Sequence, residues 1–462
     1  MANPSNVIAI DELRMITNAE FDINIAAASD VRRALTNFYK MRGSLKSAID
    51  QFEASSEDFA MSITSAGLAQ DVAEISEDNA PVVRLVSSIL EEAVRDQVSD
   101  VHIEVYERIS KVRYRIDGAL FEYIEYPASL HAAVISRLKI IAGMDISERR
   151  KPQDGRIIVK VLDKRIDLRV NMLPTIYGEK AMMRLLDRSV SKVGLSRLGL
   201  FDDDVAVLTR NIASPHGIIL ITGPTGSGKS TTLYSLLEIL NLPDVNIITV
   251  EDPVEYTMAG INQVQVNEKT GLTFAEALRS ILRQDPDKIM VGEIRDYDTA
   301  ELAVRAALTG HLVFSTLHTN DAPSSVVRLL DMGIPPYLIS ASLIAVVAQR
   351  LIRRLCPLCK AECRLSAQVA RDNGFQPGMK VYEAVGCDNC RGTGYKGRAA
   401  IVEIMEVNDS MKELIGTSAP VTAIRRAAME NGMRLLIQSA CRNVAAGVTS
   451  MEEMLALTAR SA

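Results

Sequence analysis

The chain has 462 residues, of which 47% are hydrophobic and 24% are charged, a balance typical of a globular protein rather than a disordered or fibrous one. Its length favours two or three domains. The net charge of -6 argues against a protein whose main task is to grip nucleic acid through phosphates, because that task requires a basic surface.

The sequence disfavours both membrane insertion and disulfide bonding. No apolar run approaches the ~18 residues that a membrane-spanning helix needs, and the start lacks the basic and apolar stretches of a signal peptide. Six cysteines do not make a disulfide framework in a chain of this length, and four of them form two C-x-x-C pairs. We therefore expect a cytoplasmic protein that reaches a membrane only through partners.

We interpret residues 1–76 as a short N-terminal segment and linker, with docking to a partner as the hypothesis for its role. The pattern favours a helix at Asp30–Tyr39, and the stretch 55–79 has the small, acidic composition of a linker.

Residues 77–192 are predicted to form a smaller α+β domain, because helical spacing of apolar residues is followed by strand-like alternation. The predicted elements are a helix that begins at Pro81, strands at Val101–Val105 and Val112–Ile116, a helix at His131–Ala142, and a hairpin formed by Ile157–Val161 and Ile166–Val170.

Residues 193–462 are predicted to form an α/β domain. Short apolar strands alternate with helical stretches, which indicates a parallel sheet covered by helices on both faces. The predicted strands are Ile218–Ile221, Ile247–Val250, Ile289–Val291 and Leu312–Phe314, and the predicted helices include Thr273–Gln284 and Asp298–Leu308.

A phosphate-binding loop is predicted directly after the first of these strands. The pattern G-x-x-x-x-G-K-[ST] is matched by Gly223, Pro224, Thr225, Gly226, Ser227, Gly228, Lys229 and Ser230, with Thr231 next in the following helix. The glycines let backbone N–H groups turn inward around phosphates, Lys229 neutralises the β- and γ-phosphates, and the Ser230 hydroxyl is suited to ligate Mg²⁺. The strand before the loop and the helix after it favour nucleotide binding over a glycine-rich turn that only caps a helix.

Two strand ends supply carboxylates for hydrolysis, which requires one near the metal and the attacking water. Glu251 and Asp252 end one predicted strand, and Glu293 follows another. The carboxyl ends of parallel strands face the crevice that holds a phosphate loop. Two such ends beside the loop favour catalytic residues over solvated surface residues.

Two histidines, His311 and His318, bracket the next predicted strand. A lone histidine is more often structural than catalytic, so this pair is an additional candidate rather than a decisive one.

Several long motifs together resemble the GspE/PilB secretion ATPases. They are the phosphate loop, ITVEDPVEY, LRQDPDKIMVGEIRD, TGHLVFSTLHTNDA and AQRLIRRLCPLC, in the family's order and spacing, and the resemblance runs from about Asp78 to the C-terminus. It implies a RecA-like ATPase that hydrolyses ATP with Mg²⁺ to assemble a pilin-like fibre in type II secretion, with type IV pilus extension as the alternative. It also implies a homohexamer, nucleotide at the junction of the two large domains, and partners among the inner-membrane platform and docking proteins.

The resemblance assigns roles to the acidic residues one by one. Glu251, Asp252 and Glu255 match the family's acidic box, and Glu293 matches the residue that orients or deprotonates the attacking water.

The resemblance also assigns roles to histidines and arginines. His311 and His318 match a box that senses the γ-phosphate. Arg156, Arg169 and Arg184 match arginines that contact phosphate, and ordinary surface salt bridging is the alternative for each.

A zinc site is predicted in the C-terminal part, within an insert at 354–398. The candidate ligands are Cys356, Cys359, Cys387 and Cys390. Four thiolates satisfy tetrahedral Zn²⁺, and a two-residue spacer lets one turn present two sulfurs. With no further ligand in the pattern, we interpret the site as structural, and unmetallated thiols remain the alternative. Cys363 is a substitute ligand with poorer spacing, and Cys441 is interpreted as buried filler.

Two other function classes remain open on the residues alone. A zinc-containing nucleic-acid translocase requires a basic, aromatic-lined track, whereas this chain has 5% aromatic residues and no tryptophan. A silent scaffold that only binds ATP is disfavoured by Lys229, Glu251 and Glu293.

Overall fold

The computed structural model describes residues 80–161, 164–187 and 194–459. They form two compact units that divide after Asp187. The helix and linker predicted within residues 1–79 lie outside the described residues. Within the described ranges, every helix is too short or too polar to cross a bilayer.

The described residues of the first unit form a six-stranded antiparallel sheet with two helices, in the strand order β3-β2-β1-β6-β5-β4. Its elements are α1 (Ala80–Arg95), β1 (Asp100–Val105), β2 (Ile109–Ile116), β3 (Ala119–Pro127), α2 (His131–Ala142), β4 (Gln153–Val161), β5 (Lys164–Thr175) and β6 (Gly178–Asp187).

Strand alternation divides this sheet into two faces. Val101 and Ile103 of β1 point into a core that also contains Val86 of α1 and Leu138 of α2. The polar residues between them on β1 face the other way, so that one face of the sheet is charged. The predicted helices and the hairpin are present, whereas β3 and β6 were not predicted.

The second unit is built on a seven-stranded sheet, in the order β15-β12-β7-β11-β10-β8-β9. Its strands are β7 (Gly217–Thr222), β8 (Ile247–Glu251), β9 (Asn262–Gln265), β10 (Lys288–Val291), β11 (Leu312–Leu317), β12 (Leu343–Leu355) and β15 (Tyr395–Glu406). A separate two-stranded sheet joins β13 (Ala361–Arg364) and β14 (Lys380–Glu383).

Helices of the second unit cover this larger sheet. They are α3 (Asp202–Ile212), α4 (Lys229–Leu240), α5 (Phe274–Ile281), α6 (Tyr297–Leu308), α7 (Pro323–Asp331), α8 (Pro336–Ser342), α9 (Ala367–Asp372), α10 (Asp409–Gly416), α11 (Val421–Glu430), α12 (Leu436–Ala445) and α13 (Met451–Ala459). Alternate residues of β7 enter two different cores, Ile218 and Leu220 on one face and Ile219 and Ile221 on the other. Burial on both faces explains why this strand is apolar from Ile218 to Ile221.

The sheet is parallel from β12 to β9, as the sequence pattern predicted, but its edge strand β15 runs antiparallel to β12. The reason is the connection between these two strands. After β12 the chain enters the cysteine-containing segment and returns as β15, so the two strands pair as the arms of a long hairpin.

Candidate active site and tetracysteine cluster

The phosphate loop connects β7 to α4 and has the backbone of an anion-binding nest. Gly226 and Gly228 have φ angles of 78° and 86°, which favour glycine over other residues. Across the described ranges, the N–H groups of Thr225, Gly226 and Gly228 donate to no acceptor. Unpaired N–H groups ahead of a helix N-terminus form a site for an anion such as phosphate.

Lys229 is the first residue of α4, and its side chain is turned back over the loop. Its Nζ donates to the carbonyl oxygen of Gly223 at 2.8 Å and to that of Pro224 at 3.2 Å. Burial lowers the pKa of Lys229, and the nearby charge of Arg350 adds to this effect while that of Glu293 opposes it. The ammonium is therefore desolvated beside neutral oxygens, where a phosphate would stabilise it strongly.

Glu293 lies at the same edge of the sheet, two residues after β10 ends. Its carboxylate forms an ion pair with Arg295, and its Oε2 lies 3.5 Å from Nε2 of His318. The hydroxyl of Thr316 on β11 donates to the carbonyl of Gly292 at 2.7 Å, which fixes the backbone just before Glu293. The charge of Glu293 is near enough to raise the pKa of Lys229 against the effect of burial. The predicted water-activating acid and the predicted phosphate-binding lysine therefore lie in one site.

The two predicted histidines lie at opposite ends of β11. His318 follows the strand, beside Glu293 and level with the start of the phosphate loop. His311 precedes the strand, and its Nδ1 lies 2.8 Å from the carbonyl oxygen of Ala306. Six strand residues span about 20 Å, so the structure brings His318, but not His311, to the phosphate loop of the same chain.

The predicted acidic box has a different environment from Glu293. Glu251 is 4% exposed, and its carboxylate accepts hydrogen bonds from Tyr234, from Thr249 at 2.6 Å and from Gln263 at 3.1 Å. Burial raises the pKa of Glu251 against the effect of these bonds. The structure thus directs Glu251 toward α4 rather than into an open crevice.

The remaining two acids of this box lie in the loop that follows β8. Asp252 is exposed, and its charge acts on Arg295. Glu255 is half-buried, and its backbone N–H donates to the hydroxyl of Tyr234 at 3.3 Å.

The three predicted arginines lie side by side on the charged face of the first unit. Arg156 pairs with Arg169 across β4 and β5, and Arg169 pairs with Arg184 across β5 and β6. The same row continues through Asp100 to Arg115. Like charges directly opposite each other destabilise a sheet, so this row requires either carboxylates or an anion to balance it.

Two aspartates supply part of that balance. The Nε of Arg156 donates to Asp167 at 2.6 Å, and the Nε of Arg184 donates to Asp100 at 2.8 Å. The side chain of Arg184 is nevertheless 51% exposed, so its guanidinium is accessible to solvent.

The four predicted zinc ligands converge between the end of β12 and the start of β15. Their sulfurs all lie within 4.8 Å of one another, and three pairs are 3.7–3.8 Å apart. A tetrahedral zinc ion with Zn–S bonds of about 2.3 Å requires about 3.8 Å between sulfurs, so the four cysteines fit Zn²⁺.

Backbone N–H groups point at these sulfurs and favour their ionised form. Gly394 donates to Cys390 at 3.2 Å, Gly386 donates to Cys359 at 3.3 Å, and the N–H of Cys387 lies 3.1 Å from Cys390. Burial opposes ionisation of Cys390, but the N–H groups of Cys387 and Gly394 outweigh it and lower the pKa of Cys390 to about 6. At Cys359 burial outweighs the bond from Gly386 and raises the pKa to about 12, so Cys390 is the sulfur that the donors favour as a thiolate. Zinc binds thiolates, so these bonds prepare the site for the metal.

The other two cysteines lie outside this cluster. Cys363 pairs with Val381 across the two-stranded sheet, and Cys441 is half-buried on α12 with its sulfur 3.5 Å from that of Met454.

Three residues at the phosphate-loop edge were missed by the sequence analysis: Arg295, Gln349 and Arg350. Arg295 contacts Glu293, Gln349 contacts the phosphate loop, and Arg350 donates to Asn320 at 3.0 Å. A signal was present for Gln349, because a polar residue that interrupts the apolar run Ala345–Ala348 requires a buried partner.

Known proteins resemble this chain over most of its length. The Type IV pilus assembly ATPase PilB of Myxococcus xanthus (strain DK1622) is 46% identical over 472 residues, covering 99% of this chain and 82% of that protein. The Type II secretion system ATPase E of Vibrio cholerae serotype O1 is 42% identical over 465 residues, covering 99% of this chain and 91% of that protein. Both relatives match across both units.

A solved structure and a family model match this chain as well. The crystal structure of the pilus retraction motor PilT with bound ADP matches 81% of this chain and 96% of its own chain, at 28% identity and a TM-score of 0.54. The family described as Type II/IV secretion system protein matches residues 75–456. The chain therefore belongs to the Type II/IV secretion system protein family.

Proposed function

We propose that this chain hydrolyses ATP at its phosphate loop and uses the free energy to assemble a pilin-like fibre in type II protein secretion. One observation carries the enzymatic part. Loop N–H groups without an acceptor among the described residues, a desolvated Lys229, and Glu293 beside His318 lie together at the carboxyl edge of one sheet.

Each group has a role in this proposal. The loop N–H groups and Lys229 hold the phosphates, and the Ser230 hydroxyl, which is exposed at the start of α4, would ligate Mg²⁺. Bound Mg²⁺ would neutralise charge on the transferred phosphoryl group. Glu293 orients or deprotonates the attacking water, with Arg295 and His318 holding its carboxylate. Glu251, Asp252 and Glu255 support this edge of the sheet.

The three arginines of the first unit are proposed to take part in the same reaction as phosphate-contacting residues. The adjacency of three positive side chains on one sheet face supports this, since such a row gains stability from an anion. For His311 the role of γ-phosphate sensor is proposed on the family resemblance alone, because the length of β11 separates it from the phosphate loop of its own chain.

Relatives named for both machines support the motor assignment. Type II secretion is the leading proposal, and type IV pilus assembly is the alternative, favoured by the PilB relative that covers 99% of this chain. The proposed working form is a homohexamer in the cytoplasm that contacts the inner membrane through platform and docking proteins. The tetracysteine cluster is proposed to bind structural Zn²⁺.

We expect Glu293→Gln to lower ATP turnover by about 100-fold while ATP binding is retained, because the amide cannot accept a proton from water. The measurement is phosphate release at saturating ATP, with the affinity for ATP measured in parallel. Glu301→Gln on α6 is the matched control, since Glu301 pairs with Arg305 and forms no hydrogen bond or ion pair with these site residues. Equal turnover in the wild type and Glu293→Gln would contradict the role of Glu293.

Two further measurements separate the alternatives. Turnover unchanged by added DNA or RNA supports the secretion motor, whereas strong stimulation by either supports a translocase. Deletion of the gene in its host, followed by assays for exported enzymes and for surface pili, distinguishes secretion from pilus assembly.

A further inference from the structure

Gln349 is a fully buried polar residue in the middle of an apolar strand. It is 0% exposed and lies on β12, directly after Val347 and Ala348, which are also fully buried. A buried amide without partners costs about 1–3 kcal/mol, so a residue of this kind persists where its hydrogen bonds matter.

The amide of Gln349 joins the phosphate loop to the helix that follows it. Its Nε2 donates to the carbonyl oxygen of Ser227 at 2.8 Å, and its Oε1 accepts from the hydroxyl of Thr232 on α4 at 2.7 Å. The Ser227 carbonyl can only accept, so it requires the NH2 end of the amide to face the loop, and the hydroxyl of Thr232, which is fully buried, donates to the other end. The reversed amide would place an oxygen against the Ser227 carbonyl.

The bond to Ser227 orients the peptide group between Ser227 and Gly228. In a trans peptide the C=O and the N–H point in opposite directions. With the Ser227 carbonyl held toward Gln349, the N–H of Gly228 points away from β12, and in the described part of the chain it has no acceptor. Gln349 thus aims one of the N–H groups that form the anion nest.

The packing around Gln349 also explains two glycines of the loop. A Cβ at Gly228 would lie 2.8 Å from Nε2 of Gln349, and a Cβ at Gly223 would lie 2.5 Å from its backbone oxygen. The backbone of β12 therefore leaves no room for a side chain at Gly223, and a side chain at Gly228 would displace the amide of Gln349.

We propose that Gln349 is a positioning residue for nucleotide binding, which holds the Ser227–Gly228 peptide in the orientation that receives the phosphates of ATP. The inference rests on the proposed function and deepens it, because it names a residue outside the loop motif that sets the loop's affinity. Gln349 contacts the loop backbone and not the reacting atoms. It should therefore affect binding far more than the chemical step.

The test compares Gln349→Met and Thr232→Val with the wild type in the full chain. We expect Gln349→Met to raise the KM for ATP and the dissociation constant for Mg·ATP about tenfold, with kcat changed less than about threefold. Thr232→Val should raise both constants by a smaller factor, because the amide loses its bond to Thr232 but keeps its bond to Ser227. Thr232→Ser keeps the hydroxyl and should restore wild-type values.

Ser439→Ala is the matched control. Ser439 is also buried, and its hydroxyl donates at 2.6 Å to the carbonyl of Val402, the residue that pairs with Gln349 across β12 and β15. It makes a buried bond to a strand without contacting the phosphate loop. We expect a lowered melting temperature in Ser439→Ala with an unchanged KM.

The outcomes distinguish this inference from the proposed function. A lowered melting temperature with unchanged KM and affinity in both Gln349→Met and Thr232→Val would overturn the positioning role while leaving ATP hydrolysis in place. A wild-type protein that neither binds nor hydrolyses ATP would overturn the proposed function itself. If Gln349→Met does not fold, the pair Thr232→Val and Thr232→Ser decides alone.

Discussion

Two lysine side chains are buried in the described part of the chain, and their partners differ in charge. Lys139 on α2 is 1% exposed, and its Nζ lies 2.7 Å from a carboxylate oxygen of Glu179. Lys229 is 9% exposed, and its Nζ donates only to the carbonyls of Gly223 and Pro224, with no ion pair among the described residues.

This difference suits Lys139 to stabilising the fold and Lys229 to binding an anion. The carboxylate of Glu179 neutralises Lys139 within the fold, as buried charges normally require. The carbonyls around Lys229 solvate its ammonium without neutralising it, so its full charge remains available to an anion. A buried charge with no ion-pair partner among the described residues therefore marks a place where a ligand completes the structure.

The tetracysteine cluster is a second site that a ligand of opposite charge would complete, because thiolates this close together need a cation. We expect Cys390→Ser to abolish stoichiometric zinc binding and to lower the free energy of unfolding by about 3 kcal/mol or more, since zinc stabilises only the folded site. Metal analysis should find about one zinc ion per wild-type chain and none retained by the variant after dialysis.

Cys363→Ser is the control for the zinc prediction. Cys363 lies outside the four-sulfur cluster, so its replacement should leave zinc content unchanged. Full zinc content in Cys390→Ser, or none in the wild type, would contradict the assignment of the site.

Glu104, like Lys139, is a buried charge that is neutralised by partners within the fold. Burial would raise its pKa, but hydrogen bonds from Arg113 at 2.6 and 2.9 Å and from Lys180 at 2.7 Å outweigh burial and lower the pKa to about 2. A carboxylate with a lowered folded-state pKa stabilises the fold above its ordinary pKa and loses that effect as pH falls. We expect Glu104→Gln to cost about 2 kcal/mol at pH 7.

The destabilisation caused by Glu104→Gln should depend on pH. The difference in unfolding free energy between wild type and Glu104→Gln should shrink below about pH 4.5 and nearly vanish near pH 2. Glu122→Gln is the control, because Glu122 is half exposed and its ion pair with Lys111 should contribute less than about 1 kcal/mol. A cost for Glu104→Gln that is constant with pH would show that its ion pairs do not stabilise the fold.

Much of the fold could be predicted because local patterns decide it. The helix at His131–Ala142 was predicted with its observed bounds, since its apolar spacing is continuous and Gly143 ends it. The helix predicted at Thr273–Gln284 is Phe274–Ile281, because Thr273 is its N-cap, accepting from the N–H of Glu276, and Leu282 is its C-cap. The antiparallel course of β15 was not predicted, because strand direction depends on where a distant segment returns.

In the candidate site, too, local motifs could be predicted from the sequence, whereas contacts between distant segments could not. The phosphate loop and the cysteine pairs are short motifs whose geometry is largely local, so sequence alone identified them. Gln349 contacts Ser227 across 122 residues of sequence, and no periodicity encodes that contact. The direction of Glu251 was missed for a similar reason, since its burial depends on Tyr234 of α4.

We propose that Lys229, which has no ion-pair partner among the described residues, supplies the charge that binds the triphosphate. The most direct measurement is the dissociation constant for Mg·ATP, by calorimetry, of the wild type, Lys229→Met and Lys139→Met. We expect Lys229→Met to bind at least about 100-fold more weakly, about 2.7 kcal/mol, with its stability nearly unchanged. Lys139→Met should lose stability and keep its affinity. Wild-type affinity in Lys229→Met would contradict the account.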